Sequence, residues 1–282
     1  MDFLIMANER KEEMVQDLKQ LIQIQSVLDE ESKREDAPFG EGPKKALEWM
    51  LEKASKDGFK VKNVDHYAGH IEMGEGEEIL GILCHVDVVP AGENWTYPPF
   101  EGVIKDGKLY GRGAIDDKGP TMAAYLAMKM IRDAEIPLFK RVRMIIGTDE
   151  ESGFRCVEHY FQKEVMPDIG FAPDADFPLI NAEKGIALLE FSQKGPLSEE
   201  EQLVSFQAGN RHNMVPDLAK AVVKNVSADF EEKFYEYFKQ FGEELAFARE
   251  EDKVIITVTG KSAHAMEPEK GKNAAVMLSQ LL

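Results

Sequence analysis

Four short stretches of the 282-residue chain concentrate the residue types that hold metals and move protons. His85-Val86-Asp87 sets a carboxylate two residues after an imidazole, and Asp116-Asp117 places two aspartates side by side among glycines. Glu150-Glu151 follows Thr148-Asp149, and Asp174 and Asp176 fall in Ala-Pro-Asp-Ala-Asp. One imidazole among several carboxylates gives mixed nitrogen and oxygen ligation, which suits Zn²⁺ and also Mn²⁺ or Co²⁺. A single carboxylate can bind two cations with its two oxygens, and such pairs, about 3.5–4 Å apart, activate a shared water. Asp116 is a candidate for that bridge. Taken alone, the Asp116-Asp117 pair reads as a helix cap, because an apolar helical run follows and Pro120 suits a first turn. At a strand end residues i and i+2 face the same way, so Asp87 can accept the second ring N–H of His85 and fix its tautomer. Adjacent Glu150 and Glu151 point to different sides, so one can ligate while the other takes a proton from water.

These residues need elements that bring them together. Ile79–Cys84, Val142–Ile146 and Asp168–Phe171 are short apolar runs, and each ends in one of the acidic stretches. Runs of this kind read as strands buried on both faces of a helix-covered sheet. Helical spacing appears at 11–27, 43–55, 119–133 and 153–165, with a further strand at 59–64. The alternation predicts an α/β catalytic domain with a mostly parallel mixed sheet flanked by helices. In such sheets ligands bind beyond the carboxyl ends of the strands, where the acidic stretches fall. A second region begins near Gly185. It reads as strands over 186–195 and 201–209, a helix over 217–240 and a strand over 253–259 that leads into Gly-Lys-Ser-Ala-His-Ala. The expected division is a catalytic domain over 1–184 and the start of an α+β lid over 185–282.

Composition narrows the function. A net charge of −18 argues against a nucleic-acid binder and against anionic membrane surfaces. No stretch approaches a membrane span, and the first residues do not form a signal sequence. Two cysteines, Cys84 within an apolar run and Cys156, point to a reduced, cytoplasmic chain. His66, His70 and His159 match no ligand pattern and read as structural or surface histidines.

The motifs GILCHVDVVPAG, NWTYPPFEG, LYGRGAIDDKGP, GTDEESG, GFAPDADFPLINAEKG and GKSAHAMEP occur in this order from Gly81 onward, and the likeness they carry runs from about residue 10 to the end. In them the chain resembles the two-zinc metallopeptidases that include aminoacylase, carboxypeptidase G and carnosinase, and it looks closest to the dipeptidase V branch, similar to Xaa-His dipeptidases. The resemblance implies two divalent cations, zinc first, with manganese or cobalt as alternatives. It makes His85 and Asp174 ligands of one metal, Glu151 a ligand of the other and Asp116 the bridge. It gives Asp87 the role of orienting His85 and Glu150 that of general base. It also implies a cis peptide after Asp116, with Asp117 holding the loop and capping the helix. His264 resembles a lid histidine that stabilises the developing oxyanion, and Asn213 a substrate-binding asparagine.

The resemblance therefore implies a metallodipeptidase that cleaves small unblocked dipeptides with metal-activated water. An N-acyl-amino-acid deacylase of the same superfamily, similar to acetylornithine deacetylase or succinyl-diaminopimelate desuccinylase, is the alternative enzyme. The family also supplies a late histidine ligand and a late arginine, and neither occurs by residue 282. The chain is thus expected to be the N-terminal portion of such an enzyme, with an open sheet edge prone to self-association. An inactive metal-binding fragment is the remaining alternative.

Overall fold

A computed structural model describes residues 2–92, 95–176, 178–182, 184–185, 187, 189, 202–209, 212–226, 230–238 and 245–280. The chain divides into two units, Met1–Ile180 and Asn181–Leu282.

In the first unit the elements run α1 (Phe3–Glu9), α2 (Lys11–Gln23), α3 (Glu41–Lys56), β1 (Lys60–Val64), β2 (Ala68–Met73), β3 (Ile79–His85), β4 (Val103–Lys105), β5 (Lys108–Tyr110), α4 (Lys118–Asp133), β6 (Arg141–Gly147), α5 (Arg155–Lys163) and β7 (Ile169–Phe171). The main sheet has the order β1-β2-β6-β3-β7. β3 pairs in parallel with both β6 and β7, whereas β2 runs antiparallel to β1 and β6. The sheet is therefore mixed, and its parallel part comprises the three strands that end in the acidic stretches. β2 lies where the sequence analysis placed no element. It is short, and Asp65 and His66, both with positive φ, form the turn that folds it back on β1.

Period-two alternation sorts the central strands onto two apolar layers. Ile82 and Cys84 of β3 and Val142, Met144 and Ile146 of β6 pack with Leu18, Leu47, Met50, Met122 and Tyr125 from α2, α3 and α4. On the other face Ile145 packs with Val64, Ala68 and Tyr160 of α5. With helices on both faces, the strands' carboxyl ends remain the open edge. Beyond β3, β7 ends the sheet, and Ile169 and Phe171 are more than half exposed there.

The second unit contains β8 (Gln202–Ala208), β9 (Leu218–Lys224), α6 (Phe230–Phe238), β10 (Leu245–Glu250), β11 (Lys253–Thr259) and α7 (Ala274–Ser279). Its antiparallel sheet has the order β10-β11-β9-β8. The helix expected over 217–240 is corrected: 218–224 is the strand β9, and helix covers only 230–238. Leu-Ala-Lys-Ala-Val-Val-Lys contains good helix formers, but Ala219, Ala221 and Val223 alternate inward against Val254, Ile256 and Val258 of β11 and against α7. Burial against a partner strand overrides a weak local propensity. The strand expected over 186–195 falls almost entirely outside the described residues.

Candidate metal centre

Three carboxyl-end loops and the start of α4 converge on His85. The ring lies at the end of β3, opposite Gly147 of β6, and is 2% exposed. Its Nε2 is 3.2 Å from Asp116 Oδ1, 3.2 Å from Asp174 Oδ2 and 3.7 Å from Glu150 Oε2. Despite these distances Nε2 is a buried nitrogen without a well-oriented hydrogen-bond partner. His85, Asp116 and Asp174 each offer a ligand atom, and these atoms lie within 4.8 Å of one another. An orphaned imidazole nitrogen facing two carboxylate oxygens fits a divalent cation with mixed N/O ligation. Asp116 is exposed and Asp174 half-buried, so the cluster opens outward on one side.

The ring's other nitrogen is held from within β3's own loop. Nδ1 is 3.1 Å from the Asp87 carbonyl oxygen and 3.5 Å from its carboxylate. The buried Asp87 carboxylate accepts the Glu150 and Glu151 backbone N–H groups, each at 3.1 Å. Asp87 thus both orients His85 and joins the loop after β3 to the loop after β6. The latter is held from its other side by Asp149, whose buried carboxylate receives a two-pronged hydrogen bond from Arg155 at 2.6 and 2.7 Å.

The Asp116–Asp117 peptide is cis. Asp117 occupies the N-cap position of α4, but its side chain makes no capping hydrogen bond, which corrects the expected capping role. Its buried Oδ2 instead accepts the His85 backbone N–H at 3.1 Å and the Thr121 hydroxyl at 3.0 Å. The reason is distance from solvent: in that buried corner the His85 N–H needs an acceptor, and the Asp117 carboxylate supplies it. Gly119 is required here, since a Cβ at that position would lie 2.1 Å from the Ala114 carbonyl oxygen.

The electrostatics follow from one imidazole among many acids. Burial disfavours charge on His85, yet the facing carboxylates of Asp116, Asp174 and Asp87 outweigh it and shift its pKa far above the ordinary imidazole range. The Asp116 carboxyl is held low, first by the His85 ring that faces it. Glu151 is pushed up to about 7 by burial and then by the Asp116 charge, and Glu150 is raised by burial. Asp117 is pushed up to about 7, chiefly by burial. Negative charge in excess of one imidazolium is what a divalent cation would neutralise.

His264 and Asn213 belong to the second unit, where they are brought together. Met214 bridges His264, and the Ala265 N–H donates to the Asn213 carbonyl at 2.8 Å. His264 is exposed, and its Nδ1 accepts the Met266 N–H at 3.2 Å. His66, His70 and His159 lie away from the cluster: His70 faces the Tyr160 hydroxyl at 2.7 Å, and His159 faces Asp65 and stacks on Tyr67. The sequence analysis did not single out Lys118, Thr121 or the Asp149–Arg155 pair. Only their closeness in sequence to Asp117 and Glu150 could have drawn attention to them.

The model of peptidase family M20/M25/M40 matches residues 81–272. The chain is 50% identical over 277 residues to a Bacillus subtilis (strain 168) protein named "Putative dipeptidase YtjP", covering 97% of this chain and 60% of that protein. It is 44% identical over 272 residues to "Putative dipeptidase SH1171" of Staphylococcus haemolyticus (strain JCSC1435), covering 94% and 58%. Among solved structures, human carnosine dipeptidase 1 overlaps 56% of this chain and 36% of its own, at 28% identity and a TM-score of 0.48. The chain spans about 60% of the length of the curated relatives it matches. With the family model covering more than half of its residues, the chain belongs to peptidase family M20/M25/M40.

Proposed function

We propose that this chain carries the larger part of a two-metal dipeptidase of the dipeptidase V branch, with 1–184 in the catalytic domain and 185–282 at the start of a lid. The reading is carried by the buried Nε2 of His85, orphaned and facing Asp116 and Asp174 oxygens at 3.2 Å each. His85 and Asp174 would hold one divalent cation, Glu151 the other, and Asp116 both. Zinc suits these ligands first, with manganese or cobalt as substitutes. When bound, such cations lower the pKa of water and polarise a carbonyl oxygen.

The chain's own groups do the rest. Nδ1 of His85 donates to the Asp87 carbonyl, which leaves the Nε2 lone pair free for a ligand. Glu150 takes a proton from the attacking water and returns it to the leaving amine. The Met266 N–H donates to Nδ1 of His264, so the ring's proton sits on Nε2 as a donor for a developing oxyanion. Asn213, adjacent to it, contributes to peptide binding.

The names of the curated relatives support dipeptides over N-acyl amino acids as substrates. A cytoplasmic location agrees with two buried free cysteines and with the finding that no helix of the described residues is long and apolar enough to cross a membrane. The exposed edge at β7 supports self-association. The test is metal analysis of the purified chain together with hydrolysis of Ala-containing and carnosine-type dipeptides and of N-acetyl amino acids. Bound metal and dipeptide cleavage are expected. Cleavage of N-acetyl amino acids alone would assign the deacylase, and one ion without hydrolysis would assign a metal-binding fragment.

A further inference from the structure

Lys118 is a lysine without solvent exposure, and the chemistry above makes no use of it. Its ammonium donates to the Leu21 carbonyl at 3.0 Å and to the Ile24 carbonyl at 2.8 Å. These carbonyls lie at the end of α2, where a cation is favoured, and the Leu21 carbonyl also accepts the Ile24 N–H at 3.2 Å. The same stretch has a second attachment two residues later. The buried Ser26 hydroxyl donates to the Val86 carbonyl at 2.5 Å, and the Val88 N–H donates to the Ser26 carbonyl at 3.0 Å. Segment 21–26 therefore grips both halves of the candidate metal centre. At one end it holds Lys118, next to Asp117 and two residues from Asp116. At the other it holds the residues on either side of Asp87, the first of them adjacent to His85.

The segment is itself wedged in place. A Cβ at Gly42 of α3 would lie 2.0 Å from the Gln25 carbonyl, so α3 backs directly onto it. A carbon added at Gly111 would meet Ile22 at 2.8 Å, so the loop leading to Asp116 rests on the same stretch. Segment 21–26 also lies outside the 81–272 span of the family match.

We propose that Leu21–Ser26 is a strap that sets the spacing between the His85 and Asp116 loops, with Lys118 as its anchoring positioning residue. The inference rests on the metal reading above. A ligand cluster needs its donors held at fixed separation before the ion arrives, and partners outside the ligands supply that constraint. Lys118 and Ser26 are then coupled to metal affinity without touching the metal.

The test is cobalt(II) titration of the full chain, read by visible absorption, with thermal melting to confirm folding. Lys118→Met keeps the side chain's length and removes both hydrogen bonds. It is expected to weaken cobalt binding about 10–100-fold and to shift the absorption bands while melting remains cooperative. Ser26→Ala is expected to give a smaller loss in the same direction, and it decides the question if Lys118→Met fails to fold. Lys140→Ala, at the opposite end of β6, should bind as wild type. Folded variants of Lys118 or Ser26 with wild-type affinity and spectrum would overturn the strap alone. A wild-type chain that takes up no cobalt would overturn the metal reading, and the strap's role with it.

Discussion

Asp87→Asn exchanges one oxygen for an NH₂ group and should undo the link between the His85 and Glu150 loops. The Asp87 carboxylate uses both oxygens: Oδ1 accepts the Glu150 N–H and Oδ2 the Glu151 N–H, each at 3.1 Å. The side chain is buried, so water cannot stand in for either. Asparagine has one acceptor, and its NH₂ would face the second backbone N–H. Losing a hydrogen bond to a charged acceptor costs about 1.5–3 kcal/mol, and stranding a buried donor costs about 1–3 kcal/mol. The two overlap, so the sum is about 2–4 kcal/mol. For a unit of this size that corresponds to a fall in melting temperature of roughly 5–15 °C. The Asp87 carbonyl that faces His85 Nδ1 survives the exchange, but the carboxylate that holds the Glu150–Glu151 loop and lies 3.5 Å from Nδ1 does not, so metal affinity should fall about 10–100-fold. Circular-dichroism melting and cobalt titration measure the two effects. A variant that melts within about 2 °C of wild type and binds cobalt equally would refute the linking role.

Other perturbations probe separate parts of the reasoning. His85→Ala or Asp116→Asn should abolish tight metal binding with little effect on cooperative melting, as read by calorimetric titration of zinc. Arg155→Met leaves the buried Asp149 carboxylate without its fork and should cost about 2–3 kcal/mol in urea unfolding, partly recovered by Arg155→Lys. Burial, and then the Arg143 charge, pull His70 down to about 4, against the opposing charges of Glu164 and Glu72. The unfolded chain, with an ordinary value near 6.5, therefore binds a proton first. Stability from this group is complete above about pH 6.5 and is lost as pH falls toward 4, by about 3 kcal/mol at most. The comparison is urea midpoints at pH 7 and 4 for wild type and His70→Gln, and the variant should show a smaller drop. Ala221→Leu, which overfills the contact between β9 and α7, should cost about 1–3 kcal/mol, whereas a surface helix at 218–224 would have tolerated it.

Much of the first unit can be read from the chain. The apolar runs of β3 and β6 are buried on both sides, so their composition alone marks them as strands. α2, α3 and α4 carry apolar faces at helical spacing that end up against those strands. The motif order also marked His85, Asp116, Glu150, Glu151 and Asp174 as candidates, because a strand ending in a ligand type is a local pattern. β9 was misread because its alternation becomes visible only once β11 and α7 lie against it. The capping role of Asp117 was misread because a short-range rule cannot register a backbone N–H that arrives from 32 residues away.

Sequence by itself determined the residue types available for ligation, the strands that would carry them and the family to which the chain belongs. Tertiary structure decided which side chain meets which. His85 faces Asp116 and Asp174 because β3 lies parallel to β7 and beside the start of α4. Asp87 reaches the Glu150 and Glu151 amides because β3 and β6 end level, and Lys118 reaches the end of α2, 94 to 97 residues earlier in the chain. Such contacts join groups far apart in sequence, so no spacing rule contains them. They exist because burial removes water as the competing partner and leaves each buried donor and acceptor to find the other.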